Sequence, residues 1–419
     1  MIITDDIAEN PVLDFNAYAD TIVDIIKGSE PNFTIGIYGE WGTGKTTLMR
    51  KIESKLKSRN SITTVWFNAW RYEREEQFTL IPLLKKIAYS LPAEDEFNGL
   101  RDSIKKGLGT IRKNLGQIVT SVVSDFVSKS VGTDTTDVVK DISNQLIPKI
   151  ELLTEVNEKD TIYFDGLEKI EEEVKKIRVK GHPVRIVVFI DDLDRCSPKK
   201  ALEVFESVKV FLGVDGFIYI IGLSHETISK LITAEYGKSD IKGDQYIKKI
   251  IQIPISLPEW STGDVTILID DFVNSGFIVQ KYVDIIKDNK ELIAKAIENN
   301  PREAKRFINN FIVAHEILLR YVQKVDAKEF LLVQAINVRW NRFFRLIVKL
   351  DDKLRNELKS YVEMVEADRN KELEADTSEK ILDVNLKRVL RDFKVDLELW
   401  NFLRVHSETI FGIKNWEIY

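Results

Sequence analysis

The chain has 419 residues, 44% of them hydrophobic and 31% charged, enough for one large or two to three ordinary domains with apolar cores. Its formal net charge of −6 excludes a global basic footprint for nucleic acid and leaves only a local patch for direct nucleic-acid binding. One cysteine, Cys196, excludes an intramolecular disulfide framework and suits a reducing compartment, while four scattered histidines offer no metal-ligand cluster.

The first fifteen residues are acidic and lack a signal-peptide pattern, which predicts a cytoplasmic protein. The run Phe33–Tyr38 then reads as a buried strand, and Gly39-Glu40-Trp41-Gly42-Thr43-Gly44-Lys45-Thr46 follows it directly. This octet fits G-x-x-x-x-G-K-[ST], the phosphate-binding P-loop. Its glycines let the backbone curl until several N–H groups point at one phosphate chain. Lys45 supplies a charge for the β- and γ-phosphates, and the Thr46 hydroxyl is a ligand for Mg²⁺. A helix predicted from Thr46 and Thr47 onward adds its positive dipole end to the same site. Trp41 is expected to be exposed beside the nucleotide or an adjacent subunit.

A second strand, Thr63–Asn68, brings Asn68 and Trp70 to the top of the sheet, Trp70 as a packing residue or a ligand stack. A helix follows with apolar Leu80, Leu83, Leu84 and Ile87. The interval that comes next is long for a plain loop, so it is predicted to carry structure of its own. Within it, the Ile118, Val122, Val123 and Phe126 spacing of Gln117–Val131 predicts an amphipathic helix, packed on a neighbour or lying at a membrane surface. That segment is too short and too polar to span a bilayer. Thr161–Phe164 reads as a short extra strand.

The third strand, Arg185–Ile190, ends in Asp191-Asp192-Leu193-Asp194-Arg195. A buried strand that ends in acids downstream of a P-loop is a Walker B candidate. Asp191 is expected to hold the magnesium shell, and Asp192 takes the place where many ATPases carry a glutamate that polarises the attacking water. Asp194 and Arg195 are read as supporting groups or as a salt bridge to another subunit, and Cys196 as a buried structural residue. The fourth strand, Phe217–Leu223, ends at Ser224, a γ-phosphate contact, a helix cap, or both. The last strand is predicted over Ile251–Leu257. Strands alternating with helices argue for a parallel sheet covered on both faces, with ligands at the carboxyl ends of the strands.

Beyond Ser261 the chain reads as helical. Asn300 as N-cap, Pro301 at the first helical position and Glu303 at the third predict a capping box, followed by an apolar stripe of Phe307, Ile308, Phe311 and Ile312. A further helix carries Leu331, Leu332, Ala335 and Ile336, and Val365–Asp383 reads as an exposed helix with a linker.

Five blocks in order resemble the KAP family of P-loop NTPases: GIYGEWGTGKTTLMRKI, VWFNAWRYEREEQ, VVFIDDLDRCSPKKALEVFESVKVFL, YIKKIIQIPISLP and NPREAKRFINNF. The resemblance covers about Asp14 to Leu350 and implies an additional-strand ATPase fold akin to AAA+ and signal-transduction NTPases, with another strand between the P-loop and Walker B strands. It implies ATP and Mg²⁺ as cofactors; adenine follows from the resemblance, and no guanine-selective N-K-x-D is present. In many relatives the insertion before Walker B holds transmembrane helices, which this one lacks. Arg302 resembles the lid arginine that reaches the γ-phosphate, with a plain salt bridge as the other reading and Arg306 as second candidate.

The fold expected is therefore α/β, a P-loop NTPase parallel sheet with a helical insertion between the second strand and Walker B, followed by a C-terminal helical domain. The NTPase core occupies 1–94 and 161–260, the insertion 95–160, a helical lid 261–350 and a C-terminal helical segment 351–419. The catalytic set is Lys45, Asp192 and Arg302; nucleotide is bound by Gly39, Glu40, Trp41, Gly42, Thr43, Gly44, Lys45, Thr46, Thr47 and Ser224; the metal is held by Thr46 and Asp191. Three functions fit: an ATP-hydrolysing switch, a nucleotide-binding scaffold without turnover, and a small-molecule kinase, which the DDLDR block and helical lid disfavour. Expected partners are ATP and ADP, with self-association or an effector protein on another chain. The resemblance suggests bacterial defence against phage.

Overall fold

In the computed structural model the described residues are 3, 15–57, 61–74, 79–108, 162–179, 182–212, 214–235, 242–276, 278–322, 325–367, 390, 393, 396–413 and 416. They fall into two compact units, one within Ile7–Pro258 and the other within Glu259–Tyr419, the latter joined by Ile3.

The first unit is built on a five-stranded, wholly parallel sheet. Its strands are β1 (Phe33–Tyr38), β2 (Ile62–Asn68), β3 (Arg185–Asp191), β4 (Phe217–Leu223) and β5 (Ile253–Ser256). The order is β2-β3-β4-β1-β5. β4 thus lies between the P-loop strand β1 and the acid-bearing strand β3, the additional-strand arrangement that the resemblance implied. Side chains alternate across the pleat, so each central strand must be apolar at every position. Val187 and Phe189 face one layer with Ile35, Ile37, Ile218 and Ile220, against α1 (Phe15–Gly28) and α2 (Lys45–Lys57). Ile186, Val188 and Ile190 face the other with Phe217, Tyr219 and Ile221, against α3 (Leu80–Ser90). The same layer takes in α4 (Ile162–Lys176), α5 (Pro198–Phe211), α6 (His225–Glu235) and α7 (Gly243–Ile250).

Local signals set several of these bounds. Leu80, Leu83, Leu84 and Ile87 are the buried stripe of α3. Pro198 opens α5, whose Val204 and Val208 are fully buried. Two expectations are corrected. Residues from Ile162 form the start of α4 rather than an extra strand. The three-to-four spacing of buried Ile170, Val174 and Ile177 carries a helical period through this segment. The last strand is four residues long, because α7 runs to Ile250 on buried Ile247 and Ile250 before the chain extends. Of the insertion, residues 95–108 are described, a 3₁₀ turn (Asp95–Phe97) and a helix over 98–108. The Gln117–Val131 expectation lies outside the described residues, as does most of Val365–Asp383.

The second unit is helical. It contains α8 (Thr262–Asn274), α9 (Gln280–Asp288), α10 (Lys290–Ala296), α11 (Pro301–Tyr321) and α12 (Ala327–Arg339). After these come α13 (Asn341–Ile347), α14 (Asp352–Ala367), α15 (Leu397–Val405) and α16 (Ser407–Gly412). Asn300 caps α11 by accepting from the N–H groups of Arg302 and Glu303. The capping box is only half made: the Asn300 N–H donates to Ile297 O, and the Glu303 carboxylate pairs with Arg306. Phe307, Ile308, Phe311 and Ile312 are the buried stripe of α11, and Leu331, Leu332, Ala335 and Ile336 that of α12. Asn309 on α11 also holds the N-terminal segment, exchanging two 2.8 Å hydrogen bonds with the backbone of Ile3. A separate cluster around Trp400, Trp416 and Phe343 joins α12 to α16. Among the described residues, no helix is long and apolar enough to cross a membrane.

Removing the Asn300 cap by Asn300→Ala is expected to lower stability by about 1 kcal/mol, read as a shift in the urea midpoint at constant slope. An unchanged midpoint would mean that Pro301 alone sets the helix start.

Candidate functional site

The carboxyl ends of β1, β2, β3 and β4 converge on one site. The loop after β1 turns on Gly42 (φ 89°) and Gly44 (φ 108°), a backbone region that disfavours any side chain. At Gly44 space forbids one as well, since an added Cβ would stand 2.9 Å from the Phe15 ring of α1. Thr43 braces the curl, its hydroxyl donating to Glu40 O at 2.7 Å. Trp41 is exposed, as expected, and Thr47 is half-buried on the first turn of α2.

Lys45, the first residue of α2, is nearly buried. Its ammonium donates to Gly39 O (2.8 Å) and Glu40 O (3.0 Å) and pairs with Asp194 Oδ2 at 3.4 Å. The charge is thus fixed over its own loop, and a sequence-distant aspartate completes its surroundings. Thr46, beside it, donates its hydroxyl to Asp191 Oδ1 at 3.2 Å.

Asp191 ends β3 and is buried. Burial raises its carboxyl above the ordinary range, and the neighbouring Asp192 charge adds to this; the Asp192 N–H (2.9 Å) and Thr46 oppose it. Among the described residues it has no ion-pair partner. Such a carboxyl gains from a cation delivered with a ligand. Asp192 stands in the left-handed conformation (φ 58°, ψ 30°), which aspartate tolerates better than most residues. Its Oδ2 accepts from Asn68 Nδ2 at 2.6 Å, and its Oδ1 forms an ion pair with Arg195, 2.8 Å from Nε. Arg195 therefore pairs within its own chain. Its guanidinium lies 5.7 Å from the ring of Trp70, which is half exposed. The packing reading of Trp70 gives way to that of an exposed platform.

Ser224, buried at the end of β4, takes the helix-cap place that was one of its two readings. It accepts from the Thr227 N–H at the head of α6 (3.4 Å) and shares a 2.9 Å bond with the Thr227 hydroxyl. It also donates to the P-loop carboxylate of Glu40 at 3.3 Å. Cys196 is buried, its thiol pushed up to about 12, chiefly by burial. It is no nucleophile at neutral pH.

The structure thus brings together Gly39 to Thr47, Asp191, Asp192 and Ser224 in the first unit. Arg302 belongs to the second unit, on the first turn of α11, where its N–H binds the Asn300 side chain. The sequence reading gave no role to Asn68 beyond its place above the sheet. Its register opposite Asp191, the last residues of paired strands, is what aims it at Asp192. Asp194 was named as support or as a salt bridge to another subunit; its partner in the structure is the P-loop lysine.

Among the described residues no three His, Cys, Asp or Glu side chains form a cage for an ion. Mg²⁺ does not need one, since it takes one or two protein oxygens with the rest from phosphate and water. The Thr46 hydroxyl and the uncompensated Asp191 carboxyl fit that demand.

Solved structures superpose on this chain at low identity. Cdc6p from Pyrobaculum aerophilum superposes with a TM-score of 0.45 at 12% identity, covering 99% of this chain and 94% of its own. A single-substitution variant of RuvB from Thermotoga maritima gives a TM-score of 0.33 at 13% identity, covering 91% and 87%. In sequence, the phage T7 exclusion protein of Escherichia coli strain K12 is 22% identical over 246 residues. That match takes in 55% of this chain and 30% of the relative, so the chain spans less than a third of that protein's length. The profile of the KAP family P-loop domain matches residues 15–318. On that match, and on the loop and strand ends described above, the chain is a member of the KAP family of P-loop NTPases.

Proposed function

We propose that the protein is a Mg²⁺-dependent ATPase whose nucleotide cycle drives a conformational or assembly switch. The observation that carries this reading is the pairing of the two strand ends: Lys45 is fixed over its loop while Thr46 and Asp191 meet at 3.2 Å. The backbone N–H groups of Gly42 to Thr46 would bind the phosphates, and Lys45 would exchange Asp194 for phosphate oxygen. Thr46 and Asp191 would hold Mg²⁺, which when bound neutralises phosphate charge. Asp192 would orient the attacking water and receive its proton, Glu40 and Ser224 would steady the loop near the terminal phosphate, and Arg302 would meet the transferred charge from the helical lid. The family relation and the name of the relative, a phage exclusion protein, favour a role in defence against phage, with the output carried by self-association or by an effector protein in the cytoplasm.

A second reading is a nucleotide-binding scaffold without turnover. The observation in its favour is that both Asp192 oxygens are already engaged, one accepting from Asn68 and the other in an ion pair with Arg195. Aspartate is also one methylene shorter than the glutamate usual at this place.

Steady-state hydrolysis of ATP and GTP by wild type, Lys45→Ala and Asp192→Ala separates the two. A switch loses about 10²-fold or more in turnover in both variants, the scale for removing a general base or a charge-stabilising group. A scaffold shows no turnover in any form, with nucleotide retained through purification and seen by chromatography.

Asp191 gives a second expectation. A carboxyl whose folded-state pKa is raised binds its proton more tightly when folded, so stability falls as pH rises from the ordinary carboxylate range through the raised value. At neutral pH the charge is a cost. Asp191→Asn should therefore raise the melting temperature of the nucleotide-free protein and abolish Mg²⁺-dependent nucleotide binding. A lower melting temperature would show that Thr46 and the Asp192 N–H fully offset the buried charge.

A further inference from the structure

We infer that Arg195 is a positioning residue that restrains Asp192, and that turnover requires Arg195 to release it. This rests on the reading of Asp192 as the group that orients the attacking water.

The restraint is made of contacts within one unit. Arg195 ends the 3₁₀ turn Leu193–Arg195, and its own N–H closes back on Asp192 O at 3.3 Å. From there Nε reaches Asp192 Oδ1 at 2.8 Å, so the carboxylate is drawn over its own turn. Asn68 takes the other oxygen at 2.6 Å. A carboxylate that orients water must offer its charge to that water, and here the charge is shared with a guanidinium. The left-handed backbone of Asp192 fixes where the side chain starts, which leaves rotation about its own bonds as the way out.

Both donors stand on one support. Asn68 caps the turn Ala69–Tyr72 by accepting from the Arg71 N–H at 3.0 Å. Trp70, in that turn, carries the Arg195 guanidinium 5.7 Å from its ring. A displacement of Trp70 therefore acts on Arg195 and Asn68 together. Trp70 is 50% exposed, so it can be reached from solvent. The hold is also of a releasable kind. Arg195 and Asp192 are three residues apart with side chains 35% and 18% exposed, and partly exposed pairs of this type are weak. An exposed cation–π contact is weak as well.

The test compares ATP turnover in wild type, Lys45→Ala, Arg195→Gln, Arg195→Lys and Trp70→Ala, with nitrogen-edited NMR of arginine Nε–H groups. Arg195→Gln is expected to raise kcat about two- to fivefold, the factor for losing a partly exposed ion pair, with the KM for ATP and the melting temperature unchanged. Arg195→Lys keeps the charge without the Nε donor or the planar face and should fall between. Trp70→Ala should raise kcat by a smaller factor. The arginine Nε–H signal identified by its loss in Arg195→Lys should shift in Asp192→Asn, as expected where the two side chains are paired. If Lys45-dependent turnover is present and Arg195→Gln leaves it equal or lower, the inference fails while the ATPase reading stands. If wild type and Lys45→Ala are equally inactive and Arg195→Gln is inactive too, both fail. Turnover that appears only in Arg195→Gln would support both.

Discussion

A buried carboxylate with no cationic partner among the described residues sets the terms for the first unit. β3 must be apolar on both faces to lie at the centre of a covered sheet, and the same strand ends in Asp191. Burial disfavours the charged form of that residue, and Asp192 beside it adds a like charge. The surroundings answer with dipoles: the Thr46 hydroxyl and the Asp192 N–H. The basic groups nearby are committed elsewhere, Lys45 to Asp194 and Arg195 to Asp192. An arrangement of this kind stores an electrostatic cost that a cation can relieve, which is how a binding site trades stability for function.

The sheet order explains how sequence-distant groups meet. β4 lies between β1 and β3, so the P-loop and the acidic strand end face each other across one intervening strand. That strand needs a small residue where α2 crosses it. Gly222 is that residue, since an added Cβ would come within 2.7 Å of Met49 Sδ. The same crossing lets α2 begin at Lys45 with its first turn beside Asp191. Packing in the layer below the sheet and geometry at its edge are thus one problem: Phe15 of α1 closes against Gly44, and the loop cannot curl with a side chain there.

The C-terminal unit is organised by local signals. Asn300, Ser261 and Asp326 each start a helix by accepting from backbone N–H groups that the helix leaves unpaired. Buried stripes at helical spacing then pack those helices on one another. Such features are written within a few residues, which is why the Asn300 start and the buried stripes of α11 and α12 could be read from the sequence.

The strands, the P-loop and the acidic strand end were legible in the sequence because each depends on a short pattern: continuous apolar runs, two glycines before a lysine, and carboxylates after a buried strand. That another strand separates the P-loop strand from the acidic one was implied by family resemblance, not by periodicity; the full order came from the structure. What the sequence misjudged was where pattern and tertiary context part. Thr161–Phe164 has strand-like residues, yet α4 claims them from Ile162. Ile251 continues the apolar alternation of Ile253 and Ile255, yet β5 begins only at Ile253, where pairing with Ile35 starts. Glu303 sits at a capping-box position but pairs with Arg306 instead. Residue type alone made Asp192 a candidate. That Asn68, 124 residues away, and Arg195, three residues away, share its carboxylate was decided by the fold. Hydrogen bonds depend on distance and angle in three dimensions; the register of β2 on β3 placed Asn68 within reach, and the 3₁₀ turn Leu193–Arg195 placed Arg195.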